Sequence, residues 1–191
     1  MNYLIIFITA VLVNNIVLSQ FLGICPFLGI SKRLDTAVGM SGAVAFVMVL
    51  ATLITFLLQH YVLETLHIEY LQTIVFILVI AALVQLIEIM LKKSVPSLYQ
   101  ALGVFLPLIT TNCTILGVAI MVIQKQMTLA ESMVFAVATS IGFGLALILF
   151  AGIRKQLALS EQPKAMEGTP IALITAGILA MAFMGFSGLV G

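Results

Sequence analysis

Six uncharged, strongly apolar runs alternate with short polar stretches along the chain, at residues 1–31, 36–63, 70–87, 94–124, 132–153 and 168–191. A bilayer core of roughly 30 Å takes about 20 apolar residues per helix. Each run meets or nearly meets that length, which predicts six membrane-spanning helices in an all-α integral membrane protein. Two of the starts are marked locally. Thr128-Leu129-Ala130-Glu131 has the capping-box pattern, in which the Thr and Glu side chains satisfy backbone donors at the helix start. Thr169-Pro170 sets a cap residue before a first-turn proline.

The runs are not alike. The first and fourth are each 31 residues long and hold both cysteines, Cys25 and Cys113. They also hold Pro26, Pro107, Gly23, Gly29, Gly103 and Gly117, whereas Pro96, Pro163 and Pro170 fall in loops or at a helix start. Proline and glycine inside a span free backbone groups, which is tolerated only where protein or water satisfies them again. Interrupted first and fourth segments are therefore expected. Both cysteines read Cys-x-x-x-Gly, and the cysteines and the following glycines, Gly29 and Gly117, are each separated by 88 residues. Three spans followed by three with matching features predict a single membrane domain, 1–191, built from two repeats, 1–93 and 94–191. An odd number of spans per repeat inverts the second half, and broken helices in such folds meet near the midplane.

Composition agrees with the pattern. Of 191 residues, 63% are hydrophobic and 8% charged, with a mean hydropathy of +1.29. Soluble domains carry roughly 25% charged residues, so this surface faces something other than water. A net charge of +1 leaves no basic footprint for nucleic acid. The start, Met1-Asn2-Tyr3, lacks the charged region of a signal peptide, and the first segment is expected to stay in the mature protein. Lys32, Arg33, Lys92, Lys93, Arg154, Lys155 and Lys164, seven of the eight basic residues, follow runs one, three and five. The opposite side has Lys125 with His60, Glu64, His67 and Glu69. Positive residues stay cytoplasmic, which predicts both termini outside.

Candidate chemistry centres on the cysteines, which do not resemble a secreted disulfide framework. In a straight first helix, Cys25 would lie about 33 Å along from Tyr3, at the cytoplasmic edge. Cys113 would lie about 28 Å from Ser94, near the outer edge. Only interrupted helices bring both thiols to one depth. A lone cysteine in a membrane helix is commonly a small apolar packing residue; the repeated motif beside helix breakers favours a ligand pair. Two thiolates do not complete a site, since an iron–sulfur cluster or a zinc ion takes four ligands. His60 and His67 sit in an outer loop, so the missing ligands must come from another chain. No Cys-x-x-Cys-His is present for covalent haem.

Other polar residues have plainer readings. Asn14 and Asn15 suit helix–helix bonding or an ion or water pathway. Asn112 adjoins Cys113 and is a candidate donor to a cluster sulfur. Glu88 precedes Lys92 by one turn, an i,i+4 pair. Asp35 and Glu131 complement helix dipoles at span starts. Small residues in runs two and five (Ala37, Gly39, Ser41, Gly42, Ala43 and Ala45; Ala136, Ala138, Ser140, Gly142, Gly144 and Ala146), with Ala172, Ala176 and Ala180 in the sixth, suit close helix packing. No nucleotide-binding motif or nucleophile–base pair appears, so no independent catalytic site is expected.

Three stretches closely resemble the A-type subunits of the bacterial Rnf complex, an ion-translocating ferredoxin:NAD oxidoreductase. They are Val13-Asn14-Asn15-Ile16-Val17-Leu18, Phe21-Leu22-Gly23-Ile24-Cys25-Pro26-Phe27-Leu28-Gly29 with Ser31-Lys32-Arg33, and Phe105-Leu106-Pro107-Leu108-Ile109-Thr110-Thr111-Asn112-Cys113. The superfamily also contains the E-type subunits of the sodium-translocating NADH:quinone reductase, which the Phe-Leu-Gly-Ile-Cys-Pro-Phe wording resembles less. The resemblance covers essentially the whole chain. It implies pairing in the bacterial inner membrane with a homologous six-span subunit of inverted topology, the E-type member of the Rnf complex. Two cysteines from each would hold one 2Fe–2S cluster, with Cys25 and Cys113 as this chain's ligands. It also implies other subunits carrying flavin and iron–sulfur centres, and electron transfer coupled to sodium or proton movement. A secondary transporter with polar sites at broken helices, or an assembly scaffold with incidental cysteines, are the competing readings.

Overall fold

A computed structural model describes residues 3–31, 34–63, 69–94, 106–159 and 168–185. Lys32, Arg33, Glu64, His67, Pro96, Gly103, Pro163 and Lys164 lie outside the described residues. The described elements are helical, in the order α1 (Tyr3–Ile8), a π turn (Thr9–Val13), α2 (Ile24–Ile30), α3 (Leu34–Leu58) and a second π turn (Gln59–Leu63). After a 3-10 turn (Glu69–Leu71) come α4 (Gln72–Ser94), α5 (Leu106–Thr110), α6 (Cys113–Gln124), α7 (Leu129–Leu157) and α8 (Thr169–Met184).

Among the described residues, four helical stretches are long and apolar enough to cross a membrane: Leu34–Leu63, Gln72–Met90, Pro107–Gln124 and Leu129–Leu157. Tyr3–Val13 and Thr169–Met184 are apolar but shorter. The chain is thus an all-α, multi-span membrane bundle. Its outer surface is apolar: Leu4, Phe46, Leu78, Ile178 and Met181 are all more than half exposed. Such a surface suits lipid or a partner rather than water.

α7 is the central element. Ala136, Ala138, Ser140, Gly142, Gly144 and Ala146 are all buried along it, and α3 is its main partner. A methyl group at Gly144 would sit 3.2 Å from Ser41 Cβ, so the backbones approach as closely as small residues permit. The small residues of run five and most of those of run two pack within the chain, Gly42 being exposed. Three hydroxyls of α3 are turned back on their own helix. Ser41, Thr52 and Thr55 donate to the carbonyls of Ala37, Met48 and Ala51 at 2.7–2.8 Å, which satisfies each hydroxyl without a partner helix.

The start of α7 is closed by the expected capping box. Thr128 Oγ1 accepts from Glu131 N, and the Glu131 side chain accepts from the Thr128 backbone. α8 begins at Thr169, which is its first residue and not its cap: Gly168 takes the cap position without a side-chain bond. Pro170 lies in the first turn, where a missing N–H costs nothing because no helical acceptor exists there.

Candidate functional site at two helix breaks

Helical structure stops in the first apolar run at Asn14 and resumes at Ile24; in the fourth it stops at Thr111–Asn112 and resumes at Cys113. Pro26 does not break a helix from within. It is the third residue of α2, whose cap is Gly23, a first-turn position whose N–H would have had no helical acceptor; the residues before Leu106, against which Pro107 would be judged, lie outside the described ones. The breaks themselves are made by asparagine and glycine.

Asn15 organises the first break. It is fully buried. Its Nδ2 donates to Gly142 O of α7 at 2.8 Å and to Val11 O at 3.2 Å, while Oδ1 accepts from Val17 N at 3.1 Å. One amide thus replaces helical bonds lost where the chain leaves the π turn and ties the break to α7. This is the helix-bonding role expected of Asn15, whereas Asn14 is exposed. The chain then turns through two left-handed residues, Phe21 (φ 57°) and Gly23 (φ 81°). The left-handed conformation costs a residue with a Cβ about 1–2 kcal/mol, so Phe21 stores strain immediately before the cysteine turn. Leu22 N donates to Ile16 O at 3.1 Å within this break.

Asn112 organises the second break. It caps α6, its Oδ1 accepting from Thr114 N at 3.1 Å. Thr111 Oγ1 donates to Pro107 O at 3.0 Å and closes α5. Two polar atoms here are buried and have no hydrogen-bond partner, Asn112 Nδ2 and Thr114 Oγ1. A buried donor left unmade costs about 1–3 kcal/mol.

The two breaks meet. A Cβ placed on Gly23 would overlap Thr114 Oγ1 and lie 3.2 Å from Asn112 Oδ1 and 3.1 Å from Phe143 of α7. One on Gly117 would lie 2.6 Å from Leu22, and one on Gly29 3.5 Å from Leu108. Residues 22–29 therefore run alongside residues 108–117, an approach that two straight helices would not give these positions. Cys25 is the second residue of α2 and Cys113 the first of α6. Both thiols are free and exposed. The sequence points to Cys25, Cys113 and Asn112 but not to Thr114, whose only signal is its place just after Asn112 and Cys113.

Thiolates are soft ligands suited to iron–sulfur clusters, and exposed cysteines in the first turns of adjoining helices are open to ligands from a second chain. Among the described residues, no group of three or more His, Cys, Asp or Glu side chains is placed to hold a metal ion. The donor set therefore fits half of a four-thiolate site. The unpartnered amide of Asn112 beside Cys113 fits the hydrogen-bond donor that cluster sulfurs accept.

A family model described as Rnf-Nqr subunit, membrane protein, matches residues 3–190. The A-type subunit of the Na(+)-translocating ferredoxin:NAD(+) oxidoreductase complex of Acetobacterium woodii is 60% identical over 189 residues, 99% of this chain and 98% of that protein. The A-type subunits of the ion-translocating oxidoreductase complexes of Syntrophotalea carbinolica and Vibrio vulnificus are 59% and 50% identical, over the same shares of both chains. With the match running through both cysteine turns and all the described helices, the chain belongs to the Rnf-Nqr family of membrane subunits.

Proposed function

We propose that the chain is a membrane subunit of an ion-translocating oxidoreductase complex, in which Cys25 and Cys113 supply two of the four thiolates around an intramembrane 2Fe–2S cluster. The other two come from a homologous six-span subunit of opposite topology, the E-type member of the Rnf complex. The observation that carries this reading is the packing of Gly23 against Asn112 and Thr114, which sets the two cysteine turns side by side with both thiols exposed. The names of the A-type relatives support the complex.

A bound 2Fe–2S cluster would supply one-electron transfer between carriers on the other subunits. The chain's own residues do the holding. Cys25 and Cys113 ligate, while Asn112 orients Cys113 by capping α6 and keeps its Nδ2 free to donate to a sulfur. Such outer contacts tune both affinity and potential. Asn15, bonded to Gly142 O, fixes the break from which the Cys25 turn departs.

In the bilayer the chain forms six spans in two inverted repeats, 1–93 and 94–191. Supporting this, each half has one run that breaks before a cysteine turn. The termini face outward and the basic loops the cytoplasm, from the bias of seven positive residues to one. Cysteines introduced near Lys92 and Gly191 should react with an impermeant thiol reagent from opposite sides of the membrane. Equal reaction from the same side would contradict the topology.

A transporter reading has one observation in its favour. Asn14, Gln20 and the buried, unpartnered Thr139 hydroxyl line a cleft of about 670 Å3. Solute uptake by the chain reconstituted alone would support that alternative. The redox reading is tested by iron and acid-labile sulfide in the purified complex. One 2Fe–2S equivalent beyond the other subunits' centres is expected with the partner present and none in this chain alone. A full cluster in the chain without partner thiols would overturn the shared site.

A further inference from the structure

α2 is only seven residues long, too short to hold itself in place, yet it carries one of the proposed ligands. Its far end is gripped by α7. Arg154 Nη1 donates to Leu28 O at 2.9 Å and to Ser31 Oγ at 2.8 Å. Ser31 is fully buried, and its own hydroxyl points at the same Leu28 carbonyl at 3.4 Å. One turn earlier on α7, the Phe150 ring stacks on Phe27 of α2, with centroids 4.3 Å apart and planes 14° from parallel. The Arg154 guanidinium lies 5.8 Å from the centre of that Phe150 ring. Leu28 O is one of the last four carbonyls of α2, which a helix cannot satisfy from within, and a cation there complements the helix dipole.

We infer that Arg154, with Phe150, is a positioning residue for Cys25: it locks α2 against α7 and so sets where this half of the ligand pair stands. The inference rests on the proposed cluster site and adds to it a residue 129 positions away in sequence from Cys25. α7 grips the Cys25 segment at both ends, through Gly142 at Asn15 and through Phe150 and Arg154 at Phe27, Leu28 and Ser31. α6, at 12 residues and with its own asparagine cap, is better able to stand without such a lock. Both bonds leave one guanidinium nitrogen, Nη1; a lysine ammonium has three donors but a shorter, freely rotating stem and no flat face to set against Phe150, so Arg154→Lys should keep only part of the lock.

The test uses the whole purified complex and reads the cluster rather than turnover. Arg154→Gln and Arg154→Lys are compared with the unaltered complex by paramagnetic resonance of the reduced cluster, by redox titration of that signal, and by its bleaching rate under an iron chelator. Arg154→Gln is expected to assemble with iron present, to broaden and shift the signal and its midpoint potential, and to bleach roughly tenfold faster, with Arg154→Lys between. Identical line shape, potential and bleaching in Arg154→Gln would overturn the lock. Should Arg154→Gln fail to assemble, Ser31→Ala and Phe150→Leu carry the same comparison, and an unchanged signal in both overturns it. A complex whose unaltered form holds no such cluster refutes the proposed function instead, a result separable from any effect of Arg154.

Discussion

Alanine at Cys25 or Cys113 is expected to leave the complex assembled and to stop electron flow through the membrane. The fold does not depend on either thiol. Both are exposed, and the bundle is held by α7 packed on α3 and by buried side chains such as Phe143, Leu147 and Phe150, none of which the substitutions touch. Truncating an exposed side chain away from such features changes stability by about 0.5 kcal/mol or less. The site has no such reserve. Loss of an outer partner of a metal ligand already costs roughly 10–100-fold in affinity or activity, so loss of a ligand should reduce coupled electron flow by about 100-fold or more. Partial reactions at soluble carriers should persist, because those cofactors belong to other subunits. Subunit content by immunoblot, coupled turnover and partial activity on one preparation separate these effects. Full coupled turnover in either variant would make that cysteine a packing residue.

Gly23→Ala should be nearly as damaging for a different reason, because it acts on the backbone. Gly23 has φ 81°, a conformation that costs residues with a Cβ about 1–2 kcal/mol. The new methyl would also overlap Thr114 Oγ1 and press on Phe143, and overpacking of this kind costs about 1–3 kcal/mol. Together about 2–5 kcal/mol falls on the contact that brings the two cysteine turns together. Gly42 and Gly177 have open space where a Cβ would go, and alanine there should be close to neutral. Thr114→Ala in the Gly23→Ala background removes the overlap but not the backbone cost, so it should restore part of the lost stability and cluster content. Thermal unfolding of the solubilised complex, followed with iron content, checks all four. A Gly23→Ala complex as stable and iron-replete as the original would show that the breaks do not depend on this approach.

Much of this arrangement is legible in the chain because hydropathy and charge act locally. The apolar runs, the Thr128–Glu131 cap and the first-turn Pro170 all appear where residue chemistry places them. The interruptions of the first and fourth runs are legible too, but not their mechanism. Pro26 looks like a breaker in a run and instead begins a short helix, while Asn15, which makes the first break, reads as an ordinary polar residue until Gly142 O is beside it. Run length also overstates helix length. The first run is 31 residues without a charge, yet its first helical stretch, Tyr3–Val13, is shorter than a span, because an uncharged sequence does not say where hydrogen bonding stops. What stays hidden is long-range. The bonds from Arg154 to Leu28 and Ser31 join residues 126 and 123 positions apart. Thr114's closeness to Gly23 follows from how two breaks meet, and nothing near either residue announces it.

The most direct measurement is the resonance spectrum of the membrane cluster in complexes carrying Cys25→Ser or Cys113→Ser. Serine offers a harder oxygen in place of sulfur, which perturbs an iron centre without necessarily emptying it. If both cysteines ligate one cluster, each substitution should alter or abolish the same reduced-cluster signal and shift the same midpoint potential, leaving the signals of the other subunits untouched. If either serine complex shows that signal with unchanged line shape, potential and intensity, the two cysteines do not share a cluster.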